Sequence, residues 1–327
     1  MSGAPLHEIR SSRFLPFAIE RVVNAITSRG PGYEPTPIGA AFDTQTVSGY
    51  YIDFRSKTVS KIAADTERIL PVALMQLALG WWERSVAGEP GGLDEFLKVC
   101  GSIESRALRV GEELRWPAHV SVPKYGLKPP WCSALTQGQA ASVFARAHLA
   151  TGEERYAELA HRAVSPLLRD CSSDLVSQTA FGPILEEAPG APASHILNGW
   201  ISGLWGLWDV HLGLGGKRAA EAFQAGVECL RVHLDAYDTG WWSRYSLYPH
   251  ALEDLAKPIY HRYHVDQLDV LHRLTGCDDL KEVAVRWAGY DRSPMRELAI
   301  AQKAAFAVAE TGRRRRWEAR CEAQRSG

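Results

Sequence analysis

Stretches with an apolar residue at every third or fourth position alternate along this chain with short polar turns that contain a glycine. This spacing matches one face of an α-helix, so each stretch predicts an amphipathic helix. The helices follow in four pairs, and in each pair a glycine is expected to end the first helix in the left-handed conformation. These hinge glycines are Gly88, Gly152, Gly215 and Gly276. They lie 64, 63 and 61 residues apart, by subtraction of their numbers.

A regular spacing of helical hairpins is typical of helical-repeat proteins, in which each hairpin covers the apolar face of its neighbour. Hairpins of this kind stack openly as a solenoid or close into an (α/α) toroid. The linkers between them, at 117–130, 172–194 and 235–258, are longer than is usual without a functional reason. In a toroid they would meet at one mouth and form a cleft. We therefore predict an all-α fold in which the helical hairpins form an (α/α) toroid, either as a full ring or as an incomplete one.

The beginning of the chain follows a different pattern. It holds one helical stretch at about 17–28 and a β-like stretch, VSGYYIDFR, at 47–55. We expect residues 1–60 to form a short N-terminal cap or extension. Residues 61–327 would then be the toroidal, catalytic domain, because no second core is evident in the pattern.

Composition narrows the function classes. The 327 residues are 46% hydrophobic and 23% charged, with a net charge of −1, so no general attraction to nucleic acid or anionic membrane is expected. The six cysteines are scattered without CxxC spacing, which disfavours a zinc cluster and a disulfide framework. We see neither a signal peptide nor an apolar run that would span a membrane, and we expect a cytoplasmic protein. The sequence is compatible with a homodimer.

Candidate chemistry is concentrated in the linkers and the helix starts that follow them. The segments are PPWCSALTQGQ, ILEEAPGAPASHILNG, YDTGWWSRYSLYPH and KPIYHRYHVDQL, and they are rich in Tyr, His, Arg, Glu and Gln. A toroid would bring them to one cleft, where binding sites commonly lie. Phosphate-binding GxxxxGK[ST], dinucleotide-binding GxGxxG and nucleophile-elbow GxSxG patterns are absent from the sequence. Nucleotide-dependent chemistry and serine-triad hydrolysis are therefore disfavoured.

Two groups of residues allow a simple and a functional interpretation. His261 and His264, three residues apart, could hold a metal together with Asp266, but two histidines at this spacing also suit a polar cleft wall, and we predict no metal. Glu186 and Glu187 could be a solvated acidic turn near a helix start, or one of them could be a carboxylate base.

Several long motifs in one order resemble the C-terminal catalytic domain of the D-glucuronyl C5-epimerases. They are YGLKPPWCSALTQGQA, EEAPGAPASHILNGWISGLWGLWD, LDAYDTGWWSRYSL and IYHRYHVDQLDVL. The resemblance covers roughly residues 125–287, half of the chain. The resemblance implies a toroid and the conversion of D-glucuronate to L-iduronate in heparan-type polysaccharides. By motif, the catalytic glutamate and tyrosines of that family correspond to Glu187, Tyr245 and Tyr260. No cofactor is implied.

The implied reaction removes a weakly acidic proton α to a carboxylate and returns it on the other face of the ring. Fixed donors must neutralise the developing charge, and two acid/base groups must flank the ring. Glu187 and Tyr260 belong to different hairpins, which permits flanking, and His261 and Arg262 are expected to lower the pKa of Tyr260. The candidate substrate-binding residues are Trp131, Gln137, Gln139, Asn198, Arg244, His261, Arg262 and His264.

Two positions depart from the eukaryotic members of the family. Ala188 stands where they have a tyrosine after the glutamate, and Tyr248 stands where they have an arginine. The substrate is therefore open between a heparosan-like polymer, another uronate-containing glycan and a small glucuronide. Two other functions also remain open. A polysaccharide lyase forms the same carbanion and then expels the C4 oxygen, and a non-catalytic glycan-binding toroid or all-α scaffold would perform no chemistry.

Overall fold

The computed structural model describes residues 38–39, 41–56, 70–168 and 174–323, and within these ranges the chain is mostly helical. Eight of the described helices form four consecutive hairpins. They are α1 (Pro71–Val86) with α2 (Gly92–Ser105), α3 (Ala134–Thr151) with α4 (Glu154–Val164), α5 (Leu197–Leu214) with α6 (Lys217–Tyr237), and α7 (Pro258–Thr275) with α8 (Asp278–Ala288). A further helix, α9 (Met295–Ala323), follows them.

The hinge glycines lie where the sequence predicts them. Gly88, Gly152, Gly215 and Gly276 have φ angles of 81°, 69°, 70° and 69°, in the left-handed region that side chains disfavour. Each of them follows the first helix of a hairpin within two residues. The prediction of four glycine-hinged helical hairpins is therefore confirmed.

The first helices of the hairpins form an inner row. α1 contacts α3, α3 contacts α5, and α5 contacts α7, while α2, α4, α6 and α8 each pack against their own partner. The contact between α3 and α5 is the closest, since a Cβ built on Gly206 would lie 2.3 Å from the Cα of Gly138. Helices α3 and α5 are buried along most of their length.

Three elements lie outside the predicted repeat. Two antiparallel β-hairpins lie between successive helical hairpins, β1 (Leu108–Val110) with β2 (Glu113–Arg115) before the first linker, and β3 (Val176–Thr179) with β4 (Gly182–Leu185) within the second. Strands of three or four residues are too short for an alternating pattern to reveal them. Helix α9 packs on α7 and on a 3₁₀ turn, Pro123–Tyr125. Among the described helices, none combines the length and the apolar character needed to cross a membrane.

The β-like stretch near the N-terminus forms one isolated bridge, Ile38 to Ile52, rather than a strand. Its aromatic residues enter the main core, where the Tyr51 ring stacks 4.6 Å from that of Trp205. The Tyr51 hydroxyl donates a hydrogen bond of 2.7 Å to Asp209, which also pairs with Arg146 at 2.7 Å. The helix expected at 17–28 lies outside the described residues, and the division into 1–60 and 61–327 stays a prediction.

Candidate active site

The segment that carries Tyr245 lies between two other chain segments and joins them through its backbone. On one side, Leu197 N donates to Tyr245 O at 3.2 Å, and Leu247 N donates to Ser194 O at 3.2 Å. On the other side, Tyr245 N donates to Asp254 O at 2.6 Å. These bonds hold the loop before α5 next to the loop before α7, so residues far apart in sequence meet at one end of the inner row.

The two adjacent glutamates of the loop before α5 have different surroundings. The buried carboxylate of Glu186 accepts hydrogen bonds from His195 N at 2.9 Å, Ser177 Oγ at 2.7 Å and Ser194 Oγ at 3.1 Å, and it lies 2.6 Å from His195 Nδ1. Burial alone would raise the pKa of Glu186, but its bonds and charge interaction with His195 lower it. His195 has a φ of 45°, which is uncommon for a residue with a side chain. Glu186 therefore fixes the loop rather than serving as an available base.

Glu187 has few partners. Its Oε2 accepts one hydrogen bond, 3.2 Å long, from Asn198 Nδ2. The carboxylate lies over Gly199, where an added Cβ would be 2.3 Å from Oε2, so only glycine leaves room for it there. Burial raises the pKa of Glu187 to about 7, although Lys124 and Asn198 act in the opposite direction. A carboxyl group with this pKa exchanges protons readily near neutral pH.

Tyr245 and Tyr260 are packed edge to face, with ring centres 5.0 Å apart. Burial, with the nearby negative charge of Glu187, raises the pKa of Tyr260 to about 12. Burial and Glu187 also raise the pKa of Tyr245 well above its usual value. The expectation of a lowered tyrosine pKa is therefore wrong, because burial outweighs the nearby cations. Both phenols keep their protons at neutral pH and can donate them.

Two lysines that the sequence did not single out reach this cluster. Lys124 Nζ lies 4.8 Å from the centre of the Tyr245 ring, and Lys303 Nζ lies 5.6 Å from it. Lys124 is also 2.6 Å from a carboxylate oxygen of the buried Asp254, which Lys303 contacts as well. Lys124 directly precedes the YGLKPPW motif, and this position was the signal by which the sequence could have identified it. Nothing in the local pattern pointed to Asp254 or Lys303.

The two histidines proposed as substrate-binding cations are buried and serve the fold. His261 Nε2 donates to Trp287 O at 2.9 Å, and Nδ1 accepts from Ser243 N at 3.2 Å. This arrangement suits a neutral ring, and burial lowers the pKa of His261 to about 4 and holds the pKa of His264 well below its usual value. His264 Nδ1 lies 3.0 Å from the Ser243 hydroxyl. Both histidines hold the segment before Tyr245 in place and carry no charge to neutralise a substrate.

The two glutamines proposed for substrate binding also lie within the fold. Gln137 Nε2 donates to Leu114 O at 2.7 Å and to Ala163 O at 2.8 Å, and it thereby joins α3 to β2 and α4. Gln139 is fully buried on α3. Neither residue is available to a ligand in this arrangement, because helix packing covers both side chains.

The other predicted residues lie nearer the surface. Arg244 forms an ion pair with Glu253, and Arg262 is exposed. Trp131 donates its Nε1 hydrogen to Val120 O at 2.7 Å, and its ring packs in a small cluster that includes Tyr245. Of the predicted binding residues, Asn198 is hydrogen-bonded to Glu187, Trp131 packs in the same cluster as Tyr245, and the neutral His264 ring lies 6.5 Å from the Tyr245 ring.

Comparison with known families fits this geometry. A family model described as the D-glucuronyl C5-epimerase C-terminus matches residues 111–289, more than half of the chain. The match includes Glu187, Asn198, Tyr245 and Tyr260. The chain belongs to this family. The long motifs in one order were sufficient to predict this membership.

Two relatives extend the comparison. D-glucuronyl C5-epimerase of Caenorhabditis elegans is 33% identical over 183 residues, which are 51% of this chain and 30% of the relative. An uncharacterized protein of Methanocaldococcus jannaschii is 26% identical over 181 residues, which are 53% of this chain and 56% of that protein. The aligned part therefore spans less than two thirds of either relative.

The epimerase-family segment holds most of the cluster but not all of it. Lys124 and Asp254 lie within 111–289, whereas Lys303 on α9 lies beyond that range. Within the described part of the chain, no three His, Cys, Asp or Glu side chains converge as metal ligands. The Nδ1 atoms of His261 and His264 lie 2.8 Å and 3.0 Å from the Ser243 hydroxyl oxygen.

Proposed function

We propose that this chain is a uronate C5-epimerase, which converts D-glucuronyl to L-iduronyl residues, or inverts a similar glucuronide. The observation that carries the proposal is the position of the Glu187 carboxylate, held by Asn198 beside the Tyr245–Tyr260 pair and under the influence of Lys124. This arrangement brings together an available base (Glu187), two protonated phenols and a cation (Lys124). Membership of the epimerase family supports the reaction class, and an epimerase from that family is 33% identical over the aligned part.

In this proposal Glu187 removes the C5 proton from one face of the sugar ring. The electron pair of the C–H bond moves toward the substrate carboxylate, and Tyr260 delivers a proton to C5 from the other face. The resulting phenolate is a strong base because the pKa of Tyr260 is about 12, and it regains a proton from solvent while Glu187 loses one. For the reverse reaction the roles exchange. Tyr245, in contact with Tyr260, would orient that ring and is a second donor.

The negative charge that develops on the substrate carboxylate needs a fixed cation. Since His261 and His264 are neutral and buried, we assign this role to Lys124 instead. Its ammonium group is held by Asp254 at 2.6 Å and lies over the Tyr245 ring. A lysine fixed by a carboxylate on one side can still offer hydrogens to a substrate on the other. We further propose that the row of hairpins is part of an (α/α) toroid whose mouth holds this site.

Proton NMR in deuterium oxide tests the proposal. We expect the C5 proton of a glucuronide or of heparosan oligosaccharides to be replaced by deuterium, with the iduronate epimer appearing. Comparing methyl β-D-glucuronide with heparosan oligosaccharides separates a small-molecule from a polymer substrate. A protein that leaves the C5 proton of all these uronosides in place would contradict the proposal and favour a glycan-binding function.

A lyase is the second candidate, because the same carbanion could expel the C4 oxygen. Elimination creates a carbon–carbon double bond, and the unsaturated uronate absorbs ultraviolet light. We expect no rise in that absorbance while C5 exchange proceeds on the oligosaccharides. A rise that parallels substrate loss would make the protein a lyase.

The rate of C5 proton removal should depend on pH through Glu187. A base acts in its ionised form, and the fraction of ionised Glu187 increases as pH rises through about 7. The first-order rate should therefore fall about tenfold for each pH unit below 7 and level off above it. Exchange measured between pH 5 and pH 8 tests this. A rate that reaches its plateau already at pH 5 would show that Glu187 is not the base.

A further inference from the structure

Two lysines from distant parts of the chain share one carboxylate at this site. Asp254 is 2% exposed; its Oδ2 lies 2.6 Å from Lys124 Nζ, and its Oδ1 contacts Lys303 Nζ. Ser246 Oγ also donates to Oδ2, at 2.9 Å. Burial would raise the pKa of Asp254, but the two lysines hold it well below its usual range, so the carboxylate stays ionised. Asp254 is thus a fixed anion between two cations.

The trio carries a surplus charge. Two ammonium groups face one carboxylate, so one positive charge remains beyond what Asp254 neutralises. The Lys124 and Lys303 side chains are 21% and 10% exposed, so solvent screens this charge only in part. The other charged or titratable groups on this side are His250, Glu310 and Arg313. His250 Nδ1 lies 3.1 Å from Glu310 Oε1 and its Nε2 lies 3.9 Å from Asp254 Oδ2, while Arg313 lies 3.9 Å from Glu310 Oε1. Lys257 adds a further basic group, half-buried nearby. The surplus charge faces the side where Glu187 and the tyrosines meet.

Lys303 comes from a helix that the family segment does not include. α9 (Met295–Ala323) begins after residue 289, where the family match ends. Lys303 is only 8% exposed, and its ammonium lies 4.8 Å from the ring centre of Phe306, one turn further along α9. Lys124 lies 5.4 Å from the same ring. α9 therefore contributes a wall of the site from outside the segment that the family model matches.

We propose that Lys303 is a positioning residue that makes this site selective for anionic sugars. It neutralises Asp254, so the charge of Lys124 remains available to a substrate carboxylate. The statement that the anionic sugar is a uronate rests on the proposed function. The charge argument rests on the contacts of Lys303 and Lys124 with Asp254.

Binding of a charged and an uncharged sugar tests the proposal without turnover. The probes are methyl β-D-glucuronide and methyl β-D-glucoside, which differ at the carboxylate, and their dissociation constants are measured by NMR titration. Wild-type protein should bind the glucuronide more tightly. Lys303→Met should weaken glucuronide binding about tenfold or more and leave glucoside binding within about twofold. Lys303→Arg should restore most of the preference, and Arg320→Met, at an exposed position of α9, should change neither constant.

A double variant separates charge from packing. Lys303→Met with Asp254→Asn leaves Lys124 as the one charge of the trio, so it restores the surplus that Lys303→Met alone removes. Glucuronide binding should return toward the wild-type value, whereas a purely structural role predicts a further loss. The double variant also supplies a measurement if the single variant fails to fold, as judged by thermal melting.

Three outcomes overturn the inference. In the first, the wild-type protein binds the glucuronide no more tightly than the glucoside, and in the second, Lys303→Met weakens the binding of both sugars equally. In the third, the double variant binds the glucuronide no better than Lys303→Met alone. These outcomes are distinct from failure of the epimerase proposal. A protein that binds the glucuronide through Lys303 and exchanges no C5 proton contradicts the epimerase and leaves this inference standing. Unchanged KM for epimerisation in folded Lys303→Met contradicts this inference alone.

Discussion

Glu187→Gln and Tyr260→Phe should each lower the rate of C5 inversion by about 10²–10⁴-fold, the contribution typical of a proton-transfer group. Inversion needs both faces of the sugar ring, so either substitution blocks it. Exchange of the C5 proton with solvent needs only one face, so a single variant can still introduce deuterium into one epimer. Inversion and exchange are both followed by proton NMR in deuterium oxide, starting from each epimer separately.

Matched substitutions away from the site serve as controls for this first prediction. Tyr156→Phe removes a phenol hydroxyl from α4, and Glu158→Gln removes an exposed carboxylate from the same helix. Both should leave the rate unchanged. If Tyr260→Phe folds normally and inverts C5 at the wild-type rate, Tyr260 is a packing residue and the two-group mechanism is wrong.

Glu187→Gln should also change stability, in a direction opposite to its effect on rate. The pKa of Glu187 is raised from 4.5 to about 7 by folding, so the folded state binds a proton more tightly than the unfolded state. Protonation of Glu187 therefore stabilises the folded state by about 1–3 kcal/mol below pH 4.5. This contribution is lost as pH rises through 7. Glutamine does not ionise, so the variant should be the more stable protein at pH 8 and differ less at pH 5. Such a gain marks a functional residue held at a cost to stability.

Asp209→Asn should lower the free energy of unfolding by about 3–5 kcal/mol, the usual cost of breaking a buried ion pair. Asp209 and Arg146 lie 2.7 Å apart, with side chains 1% and 0% exposed. Asparagine keeps the shape of the side chain but leaves the guanidinium of Arg146 without a counter-charge. Urea unfolding followed by circular dichroism measures the change. Since the pair lies in the core, the rate per folded molecule should be unaffected.

The control for the ion pair is an exposed one. Asp279, 61% exposed, pairs with Arg231 between α6 and α8, and Asp279→Asn should cost at most about 1 kcal/mol. Replacing both members of the buried pair, as Arg146→Met with Asp209→Leu, should recover much of the loss, because no isolated charge remains. Equal losses for Asp209→Asn and Asp279→Asn would show that burial of the pair contributes little.

The sequence by itself determined the four helical hairpins and the family. The helix pattern and the left-handed glycines depend on local backbone preferences, and each hairpin is a continuous segment of the chain. Gly152 or Gly276 could therefore be recognised without the fold. Family membership followed from long motifs in one order. These motifs also predicted Glu187, Tyr245 and Tyr260 as catalytic candidates, and the tertiary structure brings these three side chains close together.

Only the tertiary structure decided the charge of the site, because burial and pairing between distant segments set it. Glu186 and Glu187 are neighbours with the same side chain, yet one is held by His195 and the other accepts a single hydrogen bond, from Asn198, and lies over Gly199. From its place next to Tyr260, the sequence predicts that His261 is a cation, but its burial keeps the imidazole neutral. Lys124 and Lys303 are 179 residues apart, by subtraction, and meet only because Asp254 lies between them. A pKa depends on such three-dimensional neighbours, and sequence spacing contains no record of them.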